Sequence, residues 1–474
     1  MASSRKRRSS DLAERVGAEL ARHVPRGARL TLALSGGVDS IVLLDLLAAL
    51  APRCALALDC LHVDHGISPN AARWARFARA AARRYALRCA VKKADLAPHH
   101  ALGVEGAARA ARYALFAAQP SDFIALAQHE DDQAETVLLQ LVRGAGPAGL
   151  AGMPAVRPQS ARGRRPPPAL LRPLLGATRA EIEAFARDRR LTWVEDESNA
   201  DTRRARNLVR HRILPLLREI NPRATANLAR SAALIAEANE VLLAVAANDA
   251  AGAAVDGRIA VSALGALPRA RAKGALRLAL LQAGIAPPDS ARLEEVLRQL
   301  LSARADAAVR VAVGKAEIRR FRGGMWLVRP ADEVPAGFRA RWPGGRTWPL
   351  PELGGVLRLR RTTGRGLAAA AVRSGGLEVR LRRGGERLRL DPHRPRRALK
   401  ALLQESGIPP WERERLPLLY CGAELAWVAG IGVAAALRAG PGEAGFEPAW
   451  ERSGAKPRRE TAANPGRRSK PVIK

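Results

Sequence analysis

The residues best suited to chemistry fall in a few short clusters, and the first is SGGVDS, Ser35 to Ser40. It lies between LTLAL, an apolar and partly β-branched run that reads as a buried strand, and SIVLLDLLAAL, a run of helix formers. Two glycines let the backbone turn sharply and approach a ligand. The helix that opens next offers unpaired N–H groups and a partial positive charge. Together these make an anion site, most often for phosphate; the same six residues would also serve as a tight turn with a capped helix. A Walker-type loop would follow its second glycine with Lys and then Ser or Thr, whereas Asp39 and Ser40 stand here. A carboxylate beside phosphates calls for a cation between them, with Mg2+ the natural choice. The expected chemistry is the gripping of pyrophosphate and metal rather than transfer of a γ-phosphate.

Two further clusters end strand-like runs: HVDHG, His62 to Gly66, and QHEDDQAET, Gln128 to Thr136. Asp132 and Glu135 are spaced i, i+3 and share a helix face near its N-terminus. Acids there also suit the helix dipole without any catalytic duty, and His129 suits local hydrogen bonding. His62, His65 and His129 lack the spacing of a zinc site. Two basic segments complete the set. EGAARAARY places Arg109 and Arg112 on one helix face, with Glu105 and Arg109 spaced as a surface pair. EDESNADTRRARNLVRHRILP turns from acidic to basic, with Arg206, Asn207, Arg210 and Arg212 either solvated on a helix or meeting phosphate groups.

These clusters need a scaffold that brings strand ends together. From Leu30 to about Leu217 strand-like and helix-like runs alternate, the pattern of an α/β, doubly wound, mostly parallel sheet. Such sheets bind ligands at the carboxyl ends of their strands. The expected layout is a basic disordered arm over 1–20 and an α/β domain over 21–220. A helical domain over 224–330 and a linker over 331–375 follow, then a small α+β domain over 376–450 and a basic disordered tail over 451–474. Within the first domain RPQSARGRRPPPALLRP reads as an exposed, mobile loop. In the small domain LEVRLRRGGERLRL and LPLLYCGAELAWVAG read as hairpins flanking the helix PRRALKALLQESG.

The 474-residue chain is 47% hydrophobic, enough for two or three domains with sizeable cores. No run is long and apolar enough to predict a membrane span, and the basic start lacks the pattern of a signal peptide. Four cysteines, Cys54, Cys60, Cys89 and Cys421, include no CxxC pair, which argues against a disulfide framework or a metal cluster and suits a reducing cytoplasm. The formal net charge of +34, from 79 basic and 45 acidic residues, points to a polyanionic partner such as nucleic acid. Arginine far outnumbers lysine, so codon bias is a second source of that excess.

The order of SGGVDS, HVDHG, HEDDQAET with RGAGPAGLAGM, and DESNADTRRARNLVRHRILP resembles the PP-loop ATP pyrophosphatases, and more closely the bacterial tRNA(Ile)-lysidine synthetases. LRRGGERLRL and RALKALLQESGIPPWERERLPLLY resemble that family's C-terminal domain. The resemblance implies an adenine-nucleotide α-hydrolase-like PP-loop domain and a defined reaction. ATP would adenylate O2 of the wobble cytidine in a CAU anticodon, and the ε-amine of free L-lysine would displace AMP to give lysidine, converting AUG reading to AUA. It implies ATP and Mg2+ as cofactors and an isoleucine tRNA as partner. By similarity Ser35, Gly36, Gly37, Val38, Asp39, Ser40, His62, Val63, Asp64 and His129 would bind ATP, with Asp39 also meeting the metal. Asp39, Arg109, Arg112, Asp132 and Glu135 would be catalytic. Arg206, Arg210 and Arg212, and in the C-terminal unit Arg382, Arg383, Arg387 and Lys400, would contact tRNA. The alternatives are another PP-loop tRNA-modifying enzyme such as a thiolase, and a non-catalytic RNA-binding protein.

The charge generates a direct expectation. If the C-terminal arginines neutralise about six phosphates, affinity for tRNA falls roughly a thousandfold between about 50 and 200 mM salt. A filter-binding titration checks this, and a flat salt response would contradict it.

Overall fold

The computed structural model describes residues 2–159, 166–197, 201–255, 258–304, 309–329, 334–335 and 337–452. Of the expected tail over 451–474, residues 451 and 452 end a strand, while residues 453–474, residues 160–165 of the Arg/Pro-rich loop and residues 198–200 of the DESN segment lie outside the described residues. The chain forms two compact units, 1–244 and 245–474.

The first unit opens on α1 (Ala2–His23) and continues through β1 (Arg29–Ala33), α2 (Val38–Cys54), β2 (Ala57–Asp64), α3 (Ala71–Arg83), β3 (Cys89–Lys93) and α4 (Gly103–Ala117). After β4 (Phe123–Ala125) come α5 (Glu130–Val142), α6 (Pro147–Leu150), β5 (Val156–Arg157), β6 (Ala169–Leu171) and α7 (Arg179–Asp188). Helices α8 (Ala205–Leu208) and α9 (Leu214–Ile220) are joined by a π-helical stretch, Val209–Ile213, before α10 (Ala224–Gly252). The sheet order is β3-β2-β1-β4-β6-β5, parallel except for the β5–β6 pair. Leu30, Thr31 and Leu32 are all buried, as expected for a parallel strand covered on both faces. Between β1 and β4 the strand order reverses, and the loops that leave β1, β2 and β4 open at that switch point.

Two expectations for this unit are corrected. The arm is helical rather than disordered: Leu12, Val16 and Leu20, spaced i, i+4, i+8, are at most 2% exposed and join the core, and Arg15 reaches Glu181 at 2.7 Å. The end of the Arg/Pro-rich loop is not loop either, because Leu170 and Leu171 of β6 are fully buried beside β4.

In the second unit helices Val261–Ala266, Arg269–Gln282 and Ser290–Ser302 pack with a five-stranded antiparallel sheet that includes Arg310–Val313, Ala316–Phe321 and Gly324–Val328. The expected helical domain therefore also carries a sheet. The expected linker is also corrected: Gly355–Thr363 pairs with Ala444–Arg452 along its whole length, and Arg339–Arg341 pairs with Leu377–Arg380. LEVRLRRGGERLRL is not a hairpin, since Leu377–Arg380 pairs with Leu418–Cys421 while Arg387–Leu388 pairs with Arg397–Ala398. The hairpin of Leu418–Cys421 and Glu424–Val428 forms as expected. No helix among the described residues is long and apolar enough to cross a membrane.

The N-terminal helix gives a stability test. Leu20→Ala removes a side chain that is 1% exposed and is expected to lower unfolding free energy by about 3 kcal/mol. Urea unfolding measures it, and a disordered arm would give no change.

Candidate active site

Ser35 to Gly37 carry the chain from β1 into α2. Gly36 has φ +97°, and a Cβ there would lie 2.9 Å from Val194 Cγ2, so both backbone and space require glycine. The Ser40 hydroxyl accepts from the Gly36 N–H at 3.0 Å and donates to the Gly37 carbonyl at 2.9 Å, which fixes the turn. Gly37 occupies the N-cap of α2 without a side-chain cap, so no side chain there covers the first-turn amides.

Asp39, in that first turn, holds Arg179 Nη1 at 2.9 and 2.8 Å. His129 Nε2 stands 3.8 Å from Asp39 Oδ1 and 3.5 Å from Asp132 Oδ2. Burial pushes the Asp39 carboxyl above its usual range, against the pull of His129 and Arg179, and Asp132 adds to the rise. Thr178 caps α7 and Glu181 completes its capping box, so Arg179 starts that helix in a fixed place.

Asp132 and Glu135 meet two arginines from a distant segment. Arg206 donates from Nε to Glu135 at 2.6 Å and from Nη2 to Asp132 at 2.9 Å. Arg210 donates to the same two carboxylates at 2.5 and 3.0 Å. Glu135 is fully buried and Asp132 is 9% exposed. Burial would raise the Asp132 carboxyl, but His129, Arg206 and Arg210 outweigh it and hold it below the usual carboxylate range. Arg206 and Arg210 thus sit in a neutral quartet rather than on an open phosphate-facing surface, while Arg212 is exposed. Beside them Asp131 accepts from Arg218 and from the Arg179 amide.

His62 is buried, with Nδ1 at 2.8 Å from the Leu34 carbonyl, tying the ends of β1 and β2 together. Asp64 accepts from the Gly66 amide at 2.8 Å. On α4, Arg109 donates to the Tyr113 hydroxyl at 3.3 Å. Among the described residues no carboxylate pairs with Arg112, whose proton affinity is lowered by burial and by the charges of Arg109 and Arg206.

These groups line one cavity of about 1510 Å3. Of the residues expected in the first unit, all but Gly36, buried behind the loop, and Arg212 face it. Sequence reading missed Arg179, Arg218 and Tyr113; the Thr178–Glu181 capping box marks where Arg179 begins its helix but not what it touches. The remaining expected residues belong to the second unit. There Arg382 Nε lies 3.7 Å from Glu386, the Arg383 amide donates to Glu386, Arg387 donates to the Arg396 carbonyl, and Lys400 is exposed. The described residues hold no group of three or more His, Cys, Asp or Glu suited to a metal. Asp39 is a single hard oxygen donor at the loop, which fits Mg2+ carried in largely by phosphates and water.

Residues 9–217 match the PP-loop domain, 260–326 the TilS substrate binding domain and 377–450 the TilS substrate C-terminal domain. The chain is 40% identical to a tRNA(Ile)-lysidine synthase of Nitrosomonas europaea over 96% of its own length and 98% of that protein. It is 42% identical to a tRNA(Ile)-lysidine synthase of Azoarcus sp. over 89% of its length and 92% of that protein. Among solved structures, the U34-tRNA thiolase NcsA from Methanococcus maripaludis aligns with TM-score 0.41 and 18% identity, over 49% of this chain and 80% of that one.

The quartet sets a measurable stability. Glu135→Gln keeps the volume but removes the charge that two guanidiniums share. It is expected to destabilise the first unit by about 2–3 kcal/mol, read by denaturant unfolding; an unchanged midpoint would contradict the pairing.

Proposed function

The chain belongs to the tRNA(Ile)-lysidine synthase family, and on that premise we propose that it ligates free L-lysine to C2 of the wobble cytidine of a CAU-anticodon isoleucine tRNA. It is an ATP-dependent ligase that forms lysidine in tRNA. The observation that carries the finer reading is the single cavity that joins the uncapped α2 opening, the unpaired Arg112 and the carboxylates of α5.

In the first step O2 of the cytidine attacks the α-phosphorus of ATP; the O2–P bond forms, the α–β bridge breaks, and pyrophosphate leaves. The amides of Ser35 to Ser40 and the α2 N-terminus suit that leaving charge. His62, Val63 and Asp64, at the end of β2, are placed to border the adenosine. Arg112, which no carboxylate among the described residues neutralises, is the group best placed for the α-phosphate, with Arg109 beside it. Mg2+, when bound with the nucleotide, would be held by Asp39 and the phosphates and would neutralise the pyrophosphate.

In the second step the lysine ε-nitrogen attacks C2, the C2–O2 bond breaks, and AMP departs. The amine must first lose a proton, against a pKa of about 10.4 in water. Asp132 and Glu135 are the carboxylates available to hold the ammonium and accept that proton. To do so they must exchange Arg206 and Arg210 for the substrate cation, and the released guanidiniums are then free for phosphates. Removing the arginines also lifts the restraint on Asp132, whose carboxyl becomes a better proton acceptor. Residues 224–330 and the basic side chains Arg212, Arg382, Arg383, Arg387 and Lys400 are assigned to the tRNA body, and the supply of tRNA and lysine places the reaction in the cytoplasm.

Sulfur transfer finds little support in the thiols. Cys60 and Cys89 face each other in register on β2 and β3, and burial pushes both up.

The test is nucleoside mass spectrometry of the tRNA after incubation with ATP and lysine. Lysidine is expected, with pyrophosphate release that requires tRNA. Asp39→Ala is expected to lower that release by at least about two orders of magnitude while tRNA binding persists. Sulfur incorporation, or pyrophosphate release independent of tRNA, overturns the reading.

A further inference from the structure

We propose that Tyr113, backed by the buried Arg172, organises Arg109, Arg112 and Arg157 into a wall that leaves the cavity and, at its outer end, grips a phosphodiester flanking the modified nucleotide with Arg157, an inference that rests on an RNA being the substrate. The guanidinium carbons of Arg109, Arg157 and Arg112 lie 5.0, 5.5 and 5.9 Å from the centre of the Tyr113 ring. Arg109 donates to the Tyr113 hydroxyl. Arg172, 2% exposed, lies beside Tyr113 and donates to Gln128 Oε1 at 2.5 Å and the Pro154 carbonyl at 2.7 Å. Among the described residues, every acceptor that these four arginines bond is neutral. Among the described residues none of the four forms an ion pair, whereas Arg179, Arg189, Arg206, Arg210 and Arg218 of the same unit all do.

Three guanidiniums around one ring, with the buried Arg172 beside them, repel each other, and two of the four are poorly solvated, which leaves a large unmet demand for negative charge. The ring and hydroxyl of Tyr113 hold the guanidiniums in place by cation–π attraction and hydrogen bonding, so the repulsion is not relieved by dispersal.

Extent decides which phosphates fit. Arg109, Arg112 and Tyr113 line the cavity, but Arg157 and Arg172 do not. Arg157 is exposed on β5, at the edge of the sheet. The positive wall therefore runs from the cavity out past it, farther than a mononucleotide needs when its phosphates have the α2 opening after β1. A polynucleotide brings a phosphate at each residue, and an enzyme that works on an unstacked base must grip the backbone on either side.

The test uses the full-length chain, with tRNA binding followed by mobility shift across salt and ATP binding by calorimetry. Arg157→Ala is expected to weaken tRNA binding about three- to tenfold and to make the log–log salt slope shallower by about 0.7–0.9. Its ATP affinity is expected to stay within about twofold. Tyr113→Leu is expected to lose more tRNA affinity than Tyr113→Phe, which keeps the ring. Unchanged tRNA affinity and slope in Arg157→Ala overturns the wall, and so does a loss of ATP affinity in that variant. Because Arg157 is exposed, its result stands even if Tyr113→Leu fails to fold. The binding readout needs no turnover, so a chain that grips tRNA here yet makes no lysidine would sink the ligase reading and leave the wall.

Discussion

Two carboxylates, Asp132 and Glu135, are taken out of water at the start of α5, and the catalytic end of the first unit is arranged around neutralising them. A lone buried carboxylate would be protonated or would unfold its surroundings. Arg206 and Arg210 prevent this from one short segment. They are four residues apart, on successive turns where α8 passes into the π-helical stretch Val209–Ile213, and each reaches both acids. A π-helical insertion is a common local solution where side chains must be re-aimed at a functional site. Val209 and Leu214 on the same segment are buried against Ala134 of α5, so apolar packing and charge pairing fix one register.

The rest of the unit's charge follows the same logic. Asp39 has Arg179, Asp45 has Arg189, and Asp131 has Arg218. The acids at this end are matched by internal arginines, while among the described residues no acid pairs with the arginines around Tyr113. On the proposed reading this division has a use. A substrate ammonium displacing the guanidiniums of the quartet keeps a cation against the buried acids. The phosphates of ATP and RNA, by contrast, bring charge that the protein does not supply.

What the sequence made legible was local. SGGVDS, HVDHG and the helix start at QHEDDQAET were readable because a strand, a glycine turn and a helix opening are each set by neighbours in the chain. The quartet was not, because its partners lie 71 to 78 residues apart, and basic residues after DESN read equally well as a solvated face. The helix α1 was hidden by its Arg- and Ser-rich start, which masks the stripe of Leu12, Val16 and Leu20. Strand β6 was hidden between prolines, although burial between β4 and β5 overrides that local signal. In the second unit Gly355–Thr363 looked like linker because its partner strand, Ala444–Arg452, arrives roughly eighty residues later.

His129 joins the two halves of the site. It caps α5, its amide donates to Asp132 Oδ2 at 3.1 Å, and its ring lies between Asp39 and Asp132. It is 2% exposed, and Nδ1 stands 3.7 Å from Asp131 without a hydrogen bond. Water cannot screen charges packed this way. At an effective dielectric of about 20, two unit charges about 4 Å apart interact by roughly 4 kcal/mol. A change of charge at Asp39, where nucleotide and metal would arrive, is therefore felt at Asp132, where the amine would lose its proton. On the proposed reading, the imidazole between the two carboxylates is the group through which the filling of the phosphate loop would reach the acid pair.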